Sequence, residues 1–392
     1  MISPVSRMMV VAVLVLLLTG GFRVAADGNS LLVGLENDST CADLIRGLDS
    51  RFAPKTLGDT ILIKVSGPNS LRAKLEKEKF VTDVEEDGPC QVAQFSGQCS
   101  SESDAPWGLQ RISKRNLDLD GTYDFNSQYL GEGVDVYFLD SGILMTHDEF
   151  QSQGSSRVRW GADFVNTPSQ QTDDYGHGTS VSSIAVGNTV GVARKATAVA
   201  VKVTDNIGSG QISTLIAGID WVIADHQAKS FPRKSIINLS LIAGKSNLLK
   251  RAVESAMNAG IVVVAVAGNG EQDACRTMPG GIRDVITVAC SNQADEACSY
   301  SNYGRCVSIY APGDNITVAF RLSDCNYTTI SGTSYSAPHV AGILAKYIAS
   351  QPGEIGQTAA TQWLQSVATE DVLTNVPRRT ENLLAFANDC NL

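Results

Sequence analysis

From Val134 to Ala289 the chain alternates between short apolar runs and longer amphipathic segments. The runs are Val134–Leu139, Ala196–Val203, Ser235–Leu241, Ile261–Ala267 and Val285–Ala289. None shows the polar alternation of a strand with one wet face, so strands buried on both sides are predicted. Ile212–Gln227 and Leu248–Ala259 carry the helical period, and Gly260 follows where a helix closes through a left-handed residue. Ser180–Val186 and Ser336–Ile348 also read as helices, with Pro338 tolerated in a first turn. Strand and helix in alternation predict an α/β fold, a doubly wound mostly parallel sheet with helices on both faces. In such sheets chemistry gathers beyond the carboxyl ends of the strands.

The N-terminal part has a different texture. Arg7 precedes an apolar run, Met8–Leu18, which is too short to cross a bilayer comfortably, and Val24 and Ala26 stand where a signal peptidase reads. A signal peptide over 1–26 is therefore predicted in preference to a membrane anchor, with a secreted, extracellular product and no membrane contact after its removal. Between 27 and 98, Ser30–Leu35, Thr60–Val65 and Phe80–Val84 read as strands, and Cys41–Phe52 and Ser70–Lys79 as helices. That is a small α+β unit. Glu85–Asp104, rich in Glu, Asp, Gly, Ser and Gln, reads as an exposed linker of the kind proteases nick. The main domain is expected over 99–392.

Composition narrows the function. Of 392 residues, 43% are hydrophobic and 18% charged, which suits folded units rather than disorder. The net charge of −10 argues against a nucleic-acid partner, whose phosphates call for clustered Lys and Arg. Nine cysteines point to an oxidising compartment. Six of them, Cys275, Cys290, Cys298, Cys306, Cys325 and Cys390, fall in the last third without paired CxxC spacing, so disulfides are expected rather than zinc, and the pairing is open. An odd count leaves at least one thiol unpaired within the chain. Asn37, Asn315 and Asn326 open accessible glycosylation sequons, whereas Asn238 opens one inside a predicted buried strand.

Four segments carry candidate chemistry. Asp140 ends the first apolar run before Ser141-Gly142, where a carboxylate can orient a histidine or simply close a turn. His177 lies between two glycines in Tyr175-Gly176-His177-Gly178-Thr179, accessible and with the pKa a general base needs. The other histidines read as bystanders: His226 on a solvated helix face, and His147 and His339 in packing or hydrogen bonding. Ser334, in Ser331-Gly332-Thr333-Ser334-Tyr335-Ser336-Ala337-Pro338-His339, starts a helix, where unpaired N–H groups suit an oxyanion as well as a plain N-cap. Asn269, in Ala267-Gly268-Asn269-Gly270, ends a strand at the same sheet edge and has an amide to donate.

In this order the four segments resemble the subtilisin-like serine proteases, and the proteinase K branch in particular. The resemblance runs from Ala105 to about Ala387 and also rests on Ala105-Pro106-Trp107-Gly108-Leu109, Val136-Tyr137-Phe138-Leu139-Asp140-Ser141-Gly142 and Asn238-Leu239-Ser240-Leu241. It implies a secreted serine endopeptidase with Asp140, His177 and Ser334 as triad and Asn269 in the oxyanion hole. Substrate would add as a strand between Gly208-Ser209-Gly210 and Ser240-Leu241-Ile242-Ala243. Residues 27–98, which end near Val84-Glu85-Glu86-Asp87, would be an inhibitory propeptide and intramolecular chaperone, removed by (auto)proteolysis between Gly88 and Ala105. The expected partners are peptide or protein substrates and the propeptide, around a monomer. The other function class is a catalytically silent relative that binds a partner or its own prosegment.

Several positions depart from the family pattern. Ile242 and Ala243 stand where glycines usually line the pocket for the residue before the cut, which predicts a preference for small or medium residues. Ser180 and Val181 replace the usual His and, in this branch, Cys. Ser308 occupies the place of a calcium-ligating Asp, so no metal ligand is assigned; no cofactor is expected for the chemistry, and structural calcium is expected, if anywhere, at a different place. Tyr335 replaces the methionine after the nucleophile.

Overall fold

The computed structural model describes residues 30–36, 55–57, 60–66, 72–77, 81–86 and 99–387, apart from 153, 167–169 and 233. The chain divides into two compact units, Met1–Gln94 and Phe95–Leu392. In the first, β1 (Ser30–Glu36), β2 (Lys55–Leu57), β3 (Thr60–Ser66) and β4 (Val81–Glu86) form an antiparallel sheet in the order β2-β3-β1-β4. A short helix, α1 (Arg72–Leu75), falls within the predicted Ser70–Lys79 segment. The predicted helix over 41–52 and the predicted signal peptide lie outside the described residues.

The second unit begins with a correction to the expected linker. Cys99–Glu102 is a strand, β5, paired antiparallel with β6 (Tyr123–Asn126), so the last part of that polar stretch is ordered by backbone hydrogen bonds. Between them lies α2 (Trp107–Ile112). The remaining elements are, in order, β7 (Asp135–Asp140), β8 (Val158–Asp163), α3 (His177–Val186), β9 (Thr197–Lys202), α4 (Ile212–Gln227), β10 (Ser235–Leu239), α5 (Asn247–Asn258), β11 (Val262–Val266), β12 (Ile286–Ser291), β13 (Ile309–Pro312), β14 (Ile316–Ala319), β15 (Tyr327–Ile330), α6 (Thr333–Ser350), α7 (Gln357–Val367), β16 (Thr369–Glu370) and β17 (Leu383–Leu384).

The main sheet runs β8-β9-β7-β10-β11-β12-β13-β17-β16, parallel throughout except for the final β17–β16 pair. Alternate residues of each strand enter opposite layers. Val136, Phe138, Ala198, Ala200 and Ile236 pack with α3 and α6 through Val181, Ile184, Val340 and Leu344. Tyr137, Leu139, Val199, Val201 and Ile237 pack with α4 and α5 through Leu215, Ile219, Leu249 and Val253. Burying each such aliphatic contributes about 1.5–3 kcal/mol, so both faces must be apolar and the sequence shows continuous runs instead of alternation. The run predicted over Ser235–Leu241 leaves the sheet after Leu239, and just beyond it the Ser240 hydroxyl accepts from Asn238 Nδ2 and donates to the Ser334 carbonyl. Asn238 is buried, as its place in the strand predicts.

Cys275–Cys306 and Cys290–Cys298 are disulfides, Cys99 is also in a disulfide, and Cys325 is free and exposed. Among the described residues, no helix is long and apolar enough to cross a membrane.

Candidate active site

The carboxyl edge of the main sheet collects the polar side chains singled out above. Asp140 is the last residue of β7 and His177 the first of α3. Both carboxylate oxygens of Asp140 lie 2.9 Å from His177 Nδ1, and Oδ1 also accepts from the Ser141 N–H at 2.7 Å. The Nδ1–H therefore points at the carboxylate and leaves Nε2 as the lone-pair nitrogen of the neutral ring. Burial opposes the charged imidazole, but Asp140, with a smaller contribution from Asp173, outweighs it and holds His177 above the ordinary histidine pKa.

Two buried groups absent from the sequence reading hold this pair in place. Asp173 accepts from Ser141 Oγ (2.7 Å), Gly176 N (2.7 Å), Tyr175 N (3.2 Å), Thr179 N (2.8 Å) and Thr179 Oγ1 (2.6 Å). Ser141 Oγ in turn accepts from Gly178 N at 3.0 Å. A Cβ at Gly178 would stand 2.0 Å from the Gly142 carbonyl oxygen, so only glycine lets the start of α3 close onto the Asp140 turn. Lys202, opposite Asp140 in the β9–β7 register and fully buried, donates to the Ser141 carbonyl at 2.5 Å and lies 3.6 Å from Asp174. A lysine ending an apolar run was the available signal, since a buried ammonium needs partners. Asp173 had none, because its partners are mostly backbone N–H groups.

Ser334 is the second residue of α6. Its hydroxyl donates to the Ser240 carbonyl at 3.2 Å, and Ser240 Oγ donates to the Ser334 carbonyl at 2.9 Å. The Tyr335 ring, buried just beyond Ser334, lies 5.8 Å from the His177 ring, centroid to centroid. Burial first, then the charge of Asp140, raises the Tyr335 phenol pKa, so the ring next to His177 stays neutral. Asn269 follows β11 through Gly268. Its Oδ1 accepts from Thr333 N (2.9 Å) and Thr333 Oγ1 (2.8 Å), which fixes the amide and leaves Nδ2 as a donor beside Gly332. Gly332 has φ 151°, and a Cβ there would approach Asn269 Nδ2 to 3.3 Å.

The two expected substrate segments border the same edge. Gly208-Ser209-Gly210 forms a turn closed by Gly208 N to Asp205 O (3.0 Å) and Asp205 N to Ser209 O (2.8 Å), and the Tyr175 ring rests on Gly208. Ser240 is buried, whereas Ile242 is 57% exposed and lies against Gly268, next to Asn269. Ala243 exchanges backbone hydrogen bonds with Met278.

The remaining histidines are structural. His147 bonds Asn326 O and accepts from Glu149 N. His339 donates to Tyr335 O, and burial pushes it down to about 4, so it stays neutral. His226 corrects the sequence expectation: it is fully buried, bonded to Ser235 Oγ (2.9 Å) and Ala259 O (3.1 Å). The start of β10 and the end of α5 supply partners that the helical period of α4 does not reveal. Ser180 bonds Gly176 O and Ala319 O, Val181 lies in the core, and the Ser308 hydroxyl is engaged with Thr287 N and Val285 O rather than offering a carboxylate.

A parallel sheet with a carboxylate–imidazole pair and a helix-start serine at its carboxyl edge defines a class of nucleophilic hydrolases. Residues 131–382 match the Subtilase family. An extracellular serine proteinase of Thermus sp. (strain Rt41A) is 39% identical over 324 residues, 83% of this chain and 75% of its own length. Alkaline protease 2 of Aspergillus fumigatus is 38% identical over 307 residues, 73% of this chain and 60% of its own. The crystal structure of a cold adapted subtilisin-like serine proteinase superposes with TM-score 0.67 at 39% identity, covering 73% of this chain and 99% of that one. The chain belongs to the subtilase family and is a subtilisin-like serine endopeptidase.

Proposed function

We propose that Ser334 is the nucleophile of peptide-bond hydrolysis. The observation that carries this is the 2.9 Å Asp140–His177 pair packed, through Tyr335, against the helix start that bears Ser334. The Ser334 hydroxyl turns from the Ser240 carbonyl toward His177 Nε2 as substrate enters, an adjustment common between free and loaded sites. Ser334 Oγ attacks the scissile carbonyl and His177 takes the proton. Asn269 Nδ2 and the Ser334 N–H hold the oxyanion. His177⁺ then protonates the leaving amine as the acyl-enzyme forms, and the same groups pass a water proton back when the ester is cleaved. Asp140 keeps the productive tautomer and stabilises the imidazolium without itself becoming protonated. Upstream substrate residues pair with Gly208-Ser209-Gly210 and Ser240-Leu241-Ile242.

The same reading takes the protein as secreted after loss of residues 1–26, with residues 27–98 as its inhibitor and folding aid, a monomer once matured and without a metal at Ser308. One expression experiment tests it. Wild-type protein should hydrolyse a casein or peptide substrate and carry an N-terminus between Gly88 and Ala105. Ser334→Ala should lose activity by about 10⁴-fold or more and retain the N-terminal segment. Undiminished hydrolysis by Ser334→Ala rejects the assignment.

A further inference from the structure

The hairpin of β14 and β15 is fastened to the helix that begins with His177. Ser180 Oγ donates to Ala319 O at 2.9 Å, and Ala319 N donates to Ser183 Oγ at 3.1 Å. Its tip, residues 320–326, is closed by Phe320 N to Asn326 O (2.8 Å). The tip is held from outside by Asp148 N to Asp324 O (2.7 Å), Thr146 Oγ1 to Asp324 Oδ1 (2.6 Å) and His147 Nε2 to Asn326 O (2.9 Å). Backbone anchored on both sides gives the tip side chains a fixed place beside the site.

Two of those side chains lie on Gly176, the residue before His177. A Cβ there would stand 3.0 Å from Phe320 Cε2 and 3.1 Å from both Cγ and Cδ of Arg321. The Arg321 side chain is exposed and, among the described residues, has no ion pair or hydrogen bond. The nearby carboxylates are already engaged: Asp173 by its five donors, Asp174 by Lys202 and Asp324 by Thr146. Tyr175 leans the other way, onto Gly208, where the upstream part of a substrate pairs. The two neighbours of His177 on its loop thus contact different walls. With His177 as the proposed donor of the leaving-group proton, a peptide leaving past it on the side away from Gly208 would meet Gly176, Phe320 and Arg321.

We propose that Arg321 selects acidic residues on the leaving-group side of the scissile bond. This rests on the reading of Ser334 and His177 given above and extends it to the substrate class, proteins with Asp or Glu just after the cut. An exposed pair of this kind is weak and screened by salt, so the expected preference is about two- to fivefold at low ionic strength.

The test uses the full matured enzyme and internally quenched peptides that differ only in carrying Asp, Gln or Lys at the two positions after the cut. Wild type should favour Asp over Lys in kcat/KM by about two- to fivefold, and the ratio should approach one in about 0.5 M NaCl. Arg321→Gln should bring the ratio near one, and Arg321→Glu should invert it. The same ratio in all three proteins, with Ser334 still labelled by a fluorophosphonate, overturns the role of Arg321 alone. No cleavage and no label in wild type overturns the reading beneath it as well.

Discussion

His177 shows how far single residues can be read. A histidine flanked by glycines announces an accessible imidazole, and Asp140, Ser334 and Asn269 each end or start an element at one sheet edge, as their surroundings in the sequence indicate. Of the groups that lock them, Asp173 was not legible, because it acts mainly through backbone N–H donors, and the one signal for Lys202 was its place near the end of an apolar run, its partner carbonyl lying 61 residues away in sequence. His226 was misread for the same reason: its partners come from β10 and α5. The pKa of His177 makes a prediction at this scale. With His177 as the proposed base, the neutral ring is the active form, so activity should fall as the pH drops through its pKa, and Asp140 holds that pKa up despite burial. The acid limb of kcat/KM should therefore lie above the ordinary histidine value of about 6.5. A pH–rate profile whose limb lies at or below that value would remove Asp140 from the role given to it.

Elements were more legible than their ends. The strands of the main sheet are continuous apolar runs because both faces are covered, and α4 and α5 keep their period because one face meets the sheet, whereas α3 and α6 are buried almost all round. Where a run leaves the sheet is not visible in its apolar pattern, which continues through Leu241 while the strand ends at Leu239. Ser240 is bonded to Asn238 and Ser334, and the chain beyond it becomes the exposed edge that carries Ile242. That edge bears on specificity. On the proposed substrate reading, Ile242, which lies on Gly268 beside Asn269, bounds the space for the residue before the cut with a branched side chain. Cleavage-site profiling should return mainly small or medium residues there, such as Ala, Val or Leu. A profile dominated by Phe, Tyr and Trp would contradict a narrowed pocket.

On the scale of the whole molecule, a parallel sheet between two helical layers brings groups from four distant segments to one edge, and membership of the subtilase family agrees with that architecture. The proposed function requires that this edge assemble an activated serine. It is tested most directly by treating the matured protein with a fluorophosphonate and locating the adduct by mass spectrometry. One adduct is expected, on Ser334, and it should disappear in His177→Ala. No adduct on protein already freed of its N-terminal segment, or one that persists without His177, would contradict it.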